Sequence, residues 1–135
     1  MKPEPKPSRN GRYLRSYSPE GLMVLRGPGE SYGEGSTWMV ADEHGHAQVT
    51  LLPGSEAAHS GTLYVENLEV LEGARGGGHG RALYLKTERF AENVGAEWVQ
   101  IDSEEEAVGF WARMGFEETG LRFYAGKRSM VKKIG

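Results

Sequence analysis

Cysteine is absent from the 135 residues of this chain. Its absence excludes a disulfide framework, a thiolate nucleophile and a cysteine-ligated zinc site, and it fits a reducing cytoplasm. His44 and His46 form the one H-x-H pair, but no cysteine or acid–histidine pattern accompanies them. We therefore expect a solvated turn at these histidines, no metal site, and a cytoplasmic protein.

Long apolar runs and an excess of basic charge are also missing. No run approaches the roughly 20 apolar residues of a membrane span, and the N-terminal "MKPEPKPSRNG" lacks the apolar core of a signal peptide. The net charge is −3, with Lys and Arg scattered, which disfavours nucleic acid as the main partner. We expect an extended, proline-rich tail over residues 1–12 and a single domain over 13–135.

The order of predicted elements indicates an α/β fold with a mixed sheet carrying helices. Strands are predicted at 21–27, in a hairpin over 37–54, at 61–73, at 96–102 and twice after 116, and helices at 80–94 and 103–114. The hairpin turns at Asp42 to Gly45. The second helix begins with Ser103 and Glu106, which have the spacing of a capping box.

Glycine is abundant, with 20 residues, and it clusters in "LEGARGGGHGRAL" (71–83) between a predicted strand and a helix. Strand, glycine loop and helix together favour phosphate binding, because the first helical N–H groups lack intrahelical partners. Arg75 and Arg81 flank this loop. A Walker A pattern fails, since Arg81 and Ala82 follow Gly80, and the dinucleotide pattern fails in every frame.

A third pattern fits the loop. "RGGGHG" matches Arg/Gln-x-x-Gly-x-Gly/Ala at Arg75, Gly78 and Gly80, and here the chain resembles the GNAT superfamily of acyl-CoA-dependent N-acetyltransferases. "AVGFWARMGF" (107–116) is similar to that family's second signature, a helix ending in an aromatic, a basic residue and Gly-Phe. The resemblance covers roughly residues 61–118 and implies a GNAT-like central sheet with flanking helices.

The resemblance implies acetyl-CoA as co-substrate, and an amine as the acceptor. The pantetheine arm would pair with the main chain of Leu68, Glu69 and Val70, and a backbone N–H near Val70 would serve the oxyanion. Phe110 and Trp111 would line the opposite wall. The pyrophosphate would lie on the loop amides, namely those of Arg75, Gly76, Gly77, Gly78, His79, Gly80 and Arg81.

Direct transfer from the thioester to a primary amine needs a proton acceptor. Even spacing places Glu66 on the face of Leu68 and Val70, so it is a candidate base, although it could equally be an ordinary solvated residue. Asp102 and Glu104 are alternatives that could also hold a cationic substrate. Many members carry a tyrosine acid where this chain has Trp111, so the role of the acid is vacant or moves to a residue such as Tyr124. Tyr124 could instead be a core aromatic.

The N-terminal helical region of the family is reduced in this chain. Two helices usually lie between the family's first two strands, whereas "PGESYGEGS" (28–36) occupies that place here. The acceptor site is then open or completed by a second subunit of a homodimer, and an open site suits a peptide or protein acceptor. The alternative function is a non-catalytic acyl-CoA-binding regulatory or interaction module on the same fold.

Overall fold

The computed structural model describes residues 6–7, 14–17, 21–26, 37–52, 61–71, 73, 76–122 and 126–135. Two residues of the expected site, Arg75 and Tyr124, therefore lie outside the described residues, as does the stretch 28–36 that takes the place of the two family helices. Their roles stay predictions.

The described strands form one nine-stranded sheet in the order β1-β2-β3-β4-β5-β6-β7-β9-β8. Only β6 and β7 are parallel among the strand pairs of the described residues. The mixed α/β sheet expected from the sequence is confirmed. The strands are β1 Lys6–Pro7, β2 Leu14–Tyr17, β3 Met23–Arg26, β4 Thr37–Ala41, β5 Gly45–Leu52, β6 Thr62–Val70, β7 Trp98–Ser103, β8 Glu117–Arg122 and β9 Arg128–Lys133.

Two α-helices accompany the described sheet, α1 over His79–Asn93 and α2 over Val108–Arg113. A short 3₁₀ turn over Glu105–Ala107 leads into α2. In the part of the chain that the structure describes, no helix is long and apolar enough to cross a membrane.

The β4–β5 hairpin forms as the sequence predicts. Asp42 begins the turn, and its Oδ1 accepts hydrogen bonds from the amides of His44 at 2.8 Å and Gly45 at 2.9 Å. Aspartate is common at such a position because its side chain accepts hydrogen bonds that otherwise go to a backbone carbonyl in a turn. Along the arms, Val40 lies opposite Ala47, and both side chains are fully buried.

The main core lies between the sheet and α1, which packs on β5, β6 and β7. Trp38 of β4 meets Phe90 of α1 edge to face, with ring centroids 5.3 Å apart. The sequence period predicts one buried helical face, comprising Leu83, Thr87, Phe90, Ala91 and Val94. The first four are buried as predicted, whereas Val94 is the half-buried C-cap and Tyr84 was missed. The buried residues of α1 are Leu83, Tyr84, Thr87, Phe90 and Ala91.

The predicted start of the second helix was wrong. Ser103 ends β7 instead of capping a helix, and its hydroxyl donates to the carbonyl of Glu104 at 2.7 Å. Pairing of β7 with β9 continues to Ser103, opposite Arg128. Sheet pairing therefore overrides the local capping preference, and α2 begins five residues later, at Val108.

Two short strands at the N-terminal side were not predicted. β1 pairs with β2, and β2 pairs with β3, so both extend the sheet beyond the predicted strands. Lys6–Pro7 falls inside the predicted extended tail, and proline suits an edge strand because it cannot donate to a further ladder. The expected domain limits, 1–12 and 13–135, stay a prediction.

Candidate active site

The sheet opens between β6 and β7. Their parallel pairing runs from Thr62 opposite Trp98 to Val65 opposite Ile101. Beyond this point β6 continues to Val70 paired with β5, and β7 continues to Ser103 paired with β9. The carboxyl ends of the two strands therefore border a gap in the described sheet.

A β-bulge lies in β6 beside this gap. Val49 pairs with Val65 and Gln48 pairs with Asn67, so Glu66 is the extra residue of the bulge. Because β5 alternates regularly, Leu68 and Val70 return to the face of Val65. The prediction that Glu66 shares a face with Leu68 and Val70 was wrong, since even spacing holds only in an unbulged strand.

Glu66 instead belongs to the sheet face opposite α1. Val65 and Ile101 are buried in the core, so Tyr64 and Glu66 on β6, and Asp102 on β7, alternate to the other face. The bulge thus groups Glu66 with Tyr64 and Asp102.

A cavity of about 250 Å³ fills the gap between the strands. It brings together three of the candidate carboxylates expected from the sequence, Glu66, Asp102 and Glu104, with Glu69 as a fourth acid. Lys127 is the one cation among its described lining residues. The lining comprises residues 65–69, 101–104, Ala107, Trp111 and Lys127.

Asp102 is the carboxylate most firmly held in this cavity wall. The hydroxyl of Tyr64 donates a hydrogen bond to Oδ2 of Asp102. Its other oxygen, Oδ1, is buried and has no hydrogen-bond partner among the described residues. A buried acceptor without a donor costs roughly 1–3 kcal/mol, so Oδ1 is a favourable position for an incoming N–H group.

Burial also changes the acidity of Asp102. Desolvation raises the pKa of this carboxyl above its ordinary value of 3.8, and the positive charge of Lys127 partly opposes the change. Lys127 also lies 3.8 Å from Glu104. The four carboxylates outnumber the single lysine, so the cavity favours cations.

The glycine loop precedes α1 at the end of β6. Gly78 is the N-cap of α1 with a left-handed φ of 79°, and Gly76 has a φ of 88°. A Cβ at either position would meet nothing within 4 Å, so the space before the helix is open. The first helical bond runs from the amide of Ala82 to the carbonyl of Gly78. The amides of His79, Gly80 and Arg81 precede it and suit a phosphate.

His79, the first residue of α1, packs against the β4–β5 turn. Its ring lies over that of His44, with centroids 3.6 Å apart and planes inclined by 30°. The amide of Leu71 also donates to the carbonyl of His44 at 2.7 Å. The turn that we expected to be solvated is therefore partly covered by His79 at His44. The residue types alone could not indicate this contact, because it joins two distant segments. The described residues contain no group of side chains that could hold a metal ion.

The start of α1 approaches both β6 and α2. A Cβ on Gly80 would lie 3.5 Å from Val70 and 3.8 Å from the ring of Phe110. Phe110 and Trp111, both in α2, have ring centroids 5.0 Å apart. The glycine loop, the distal part of β6 and α2 are thus neighbours, as the resemblance implies.

Trp111 is only 8% exposed, although it contributes to the cavity wall. Its ring meets Tyr84 and Phe116 edge to face, with centroids 5.4 and 5.3 Å away. This indole is therefore mainly a core group. Sequence reasoning missed Tyr64, because its contact with Asp102 depends on the register of β6 against β7.

Several solved structures share this fold. The NatC complex bound to Gag peptide and CoA is 15% identical over 75% of this chain and 72% of that chain, with a TM-score of 0.61. The PaiA N-acetyltransferase of Thermoplasma acidophilum in complex with coenzyme A is 14% identical over 73% and 60%, with a TM-score of 0.55. An acetyltransferase from Bacillus cereus is 23% identical over 67% and 64%, with a TM-score of 0.55.

At these identities the structural likeness is evidence for the fold alone. No curated protein matches the sequence. The model of the acetyltransferase (GNAT) family, however, matches residues 5–116, which is most of the chain and includes the glycine loop, both helices and the cavity-lining strands. The chain therefore belongs to the GNAT family of acetyltransferases.

Proposed function

We propose that this protein is an N-acetyltransferase that moves an acetyl group directly from acetyl-CoA to a primary amine. The observation that carries the proposal is the gap between β6 and β7, which contains acidic side chains and lies beside the glycine loop. A slot of this kind can hold a thioester and an amine side by side, which is the main requirement of direct transfer.

Acetyl-CoA would bind from the loop towards the gap. Its pyrophosphate meets the amides before α1, and its pantetheine arm follows Leu68 and Glu69, where no strand pairs with this side of β6 in the described sheet. Two of the structural neighbours, the NatC complex and PaiA N-acetyltransferase, were solved with CoA bound, which supports this choice of cofactor. The reaction needs no metal, since a positioned base and oxyanion donors suffice.

The transfer requires that the amine lose its proton before attack. The cavity offers Glu66, Asp102 and Glu104 for this task. The departing thiolate needs no tyrosine at the position of Trp111 if it takes its proton from another group. Tyr124 keeps the predicted role of this acid. A peptide acceptor and a homodimer that completes the acceptor site also stay predictions, as does a cytoplasmic location. Light scattering of the full chain would measure whether it forms the homodimer.

Thermal unfolding of the full chain with acetyl-CoA tests the cofactor. Ligand at about 100 times its Kd adds roughly 2.7 kcal/mol to the free energy of unfolding, which raises the Tm by several degrees for a domain of this size. ATP and NAD serve as control ligands. Gly78→Val should remove the shift, because its side chain enters the open space before α1. Gly21→Val is the matched control, since Gly21 has a similar φ of 90° with nothing nearby.

Release of the CoA thiol then tests turnover. Three acceptors cover the main classes: 1,4-diaminobutane, a peptide with a free N terminus, and an N-terminally blocked peptide with one lysine. Thiol release with a matching mass gain of one acetyl group on any of them supports the proposal. No thermal shift with acetyl-CoA would show that the glycine loop does not bind this cofactor.

A non-catalytic acyl-CoA-binding module is the second candidate. It is favoured by Trp111, whose buried indole cannot reprotonate a thiolate at a position where many family members carry tyrosine. This function predicts a thermal shift with acetyl-CoA that Gly78→Val removes, together with no thiol release from any amine above the rate of hydrolysis.

A further inference from the structure

We infer that Asp102, held by Tyr64, binds the ammonium group of the acceptor and takes its proton before acetyl transfer. This inference rests on the proposed N-acetyltransferase function. It assigns the base to the strand β7, whereas the spacing of the sequence favours Glu66 on β6.

The geometry leaves one oxygen of Asp102 for a ligand. Tyr64 lies opposite Gln100 in the parallel register, so Asp102 is its diagonal neighbour on the same sheet face. The Tyr64 hydroxyl donates to Oδ2, while Oδ1 is buried without a donor among the described residues. A primary ammonium group has three N–H donors and is the chemical class that suits such an oxygen.

The other acids of the cavity are less well positioned. Glu104 is exposed, and its carboxylate lies beside Lys127. Glu66 is half-buried at the bulge, and no described side chain forms a hydrogen bond with it. Glu69 lies 3.6 Å from His46 on the adjacent strand β5, but its side chain is 65% exposed. A base acts best when its orientation is fixed by neighbouring groups, and among the described acids of the cavity Asp102 alone combines a hydrogen bond from the adjacent strand with a buried, unpaired oxygen.

The charges around Asp102 are compatible with this role. Lys127, Glu66 and Glu104 line the same cavity, and Lys127 is the cation that acts on Asp102. Arg128 on the neighbouring strand β9 is engaged by Glu105 and Glu118, at 2.7 and 3.2 Å. Burial brings the pKa of Asp102 closer to neutrality, which makes its carboxylate a better match for proton transfer at physiological pH.

The proton balance of the reaction is as follows. The ammonium donates to Oδ1, one proton passes from nitrogen to Asp102, and the neutral amine attacks the thioester carbonyl. The C–N bond forms and the C–S bond breaks, so that the CoA thiolate leaves. The nitrogen then loses a second proton. Of the two protons lost, one protonates the CoA thiolate and the other is released to solvent.

The test compares Asp102→Asn and Tyr64→Phe with Glu66→Gln and Glu104→Gln, using the three acceptors named above. Asp102→Asn keeps the shape of the side chain and should lower kcat/KM at least 100-fold. It should leave the acetyl-CoA thermal shift unchanged. Glu66→Gln and Glu104→Gln should each lower kcat/KM by a clearly smaller factor than Asp102→Asn does, because neither carboxylate takes the proton.

The pH profile separates a base from a structural residue. Wild-type log kcat/KM should rise with pH as Asp102 ionises, and this limb should disappear in Asp102→Asn. Tyr64→Phe removes a donor to the charged carboxylate, so the limb should move to higher pH and activity should partly recover there. A merely structural tyrosine would lower activity equally at every pH.

A binding measurement covers the case in which no acceptor is turned over. Millimolar 1,4-diaminobutane should raise the Tm of the wild-type protein and not that of Asp102→Asn. Turnover that survives in Asp102→Asn but falls 100-fold in Glu66→Gln would overturn the inference and leave the proposed function standing. Absence of both turnover and diamine binding in a wild-type protein that binds acetyl-CoA would overturn both.

Discussion

Val65 lies opposite Ile101 in the last register pair that joins β6 to β7 within the described sheet. Both side chains are buried in the core, so β6 and β7 are paired and packed on the core up to this position. Beyond it the two strands are held by different partners, β5 and β9, and they border the acidic cavity. The position of the candidate site is therefore a consequence of strand pairing.

Asp102→Asn should stabilise the protein at neutral pH. Because burial raises the folded-state pKa of Asp102 above 3.8, the folded state binds the proton more tightly than the unfolded state. The contribution of Asp102 to the free energy of unfolding is therefore greatest below pH 3.8 and falls as the pH rises through the folded-state pKa of this carboxyl. The variant should gain on the order of 1 kcal/mol at pH 7.

Urea unfolding of both proteins between pH 3.5 and about 7.5 measures this difference. The gain should shrink towards zero on acidification. A gain that does not depend on pH would mean that the ionisation of Asp102 is not its cause, and a loss of stability at pH 7 would contradict the prediction.

Asp42→Ala should destabilise the protein, because it removes the hydrogen bonds of the β4–β5 turn and the ion pair with Lys86 at 3.2 Å. The Asp42 side chain is 3% exposed, and the expected loss is about 2–3 kcal/mol. Glu43→Ala is the matched control, since the adjacent Glu43 side chain is 84% exposed. Equal losses in the two variants would contradict the prediction.

The contribution of Asp42 should also depend on pH. Burial would raise the pKa of this carboxyl, but hydrogen bonds from the His44 and Gly45 amides and the charge of Lys86 bring it below 3.8. Its stabilisation is therefore present above pH 3.8 and is lost as the pH falls through the lower, folded-state pKa. Chemical unfolding should show a difference in the free energy of unfolding between wild type and Asp42→Asn, and this difference should disappear only in strong acid.

Gly45→Ala should destabilise the β5–β6 pair. A Cβ there would meet the carbonyl oxygen of Glu69 and lie 3.0 Å from Leu83, and overpacking of this kind costs about 1–3 kcal/mol. It should also weaken acetyl-CoA binding, because the backbone that must move borders the proposed pantetheine path. Gly73→Ala, at a position with nothing within 4 Å, should change neither the Tm nor the shift with acetyl-CoA.

Glu88→Ala should be among the more costly single changes in α1. Glu88 accepts hydrogen bonds from the buried Tyr84 hydroxyl at 2.9 Å and from Lys132 at 2.6 Å. Burial, together with Glu88, raises the pKa of Tyr84 above 10, so the phenol stays a donor. Leaving both donors unpaired should cost about 2–4 kcal/mol in urea unfolding.

Glu92→Ala, one turn later on the exposed side of α1, is the control and should change stability by less than about 0.5 kcal/mol. Glu88→Gln keeps an acceptor for Tyr84 and should recover part of the loss. Similar effects of Glu88→Ala and Glu92→Ala would mean that the Tyr84–Glu88–Lys132 contacts do not stabilise the fold.

Local sequence determined the elements that depend on near neighbours. The 3.6-residue period of Leu83, Thr87 and Phe90 predicted α1, and Asp42 predicted the hairpin turn, because helix faces and tight turns are set within a few residues. The glycine loop before α1 was also readable, since helical N–H groups and glycine flexibility are local properties. They suffice to suggest a phosphate site and, with the second signature, the family.

Tertiary structure alone decided what happens where distant segments meet. Ser103 stays in β7 because Arg128 pairs with it, Glu66 changes face because the β5–β6 register contains a bulge, and Tyr64 reaches Asp102 only through the parallel register. Each outcome depends on the register between two strands, which the hydrophobic periodicity of one segment does not encode. The sequence thus determined the loop that favours a phosphate, whereas strand pairing decided which carboxylates face the gap beside it.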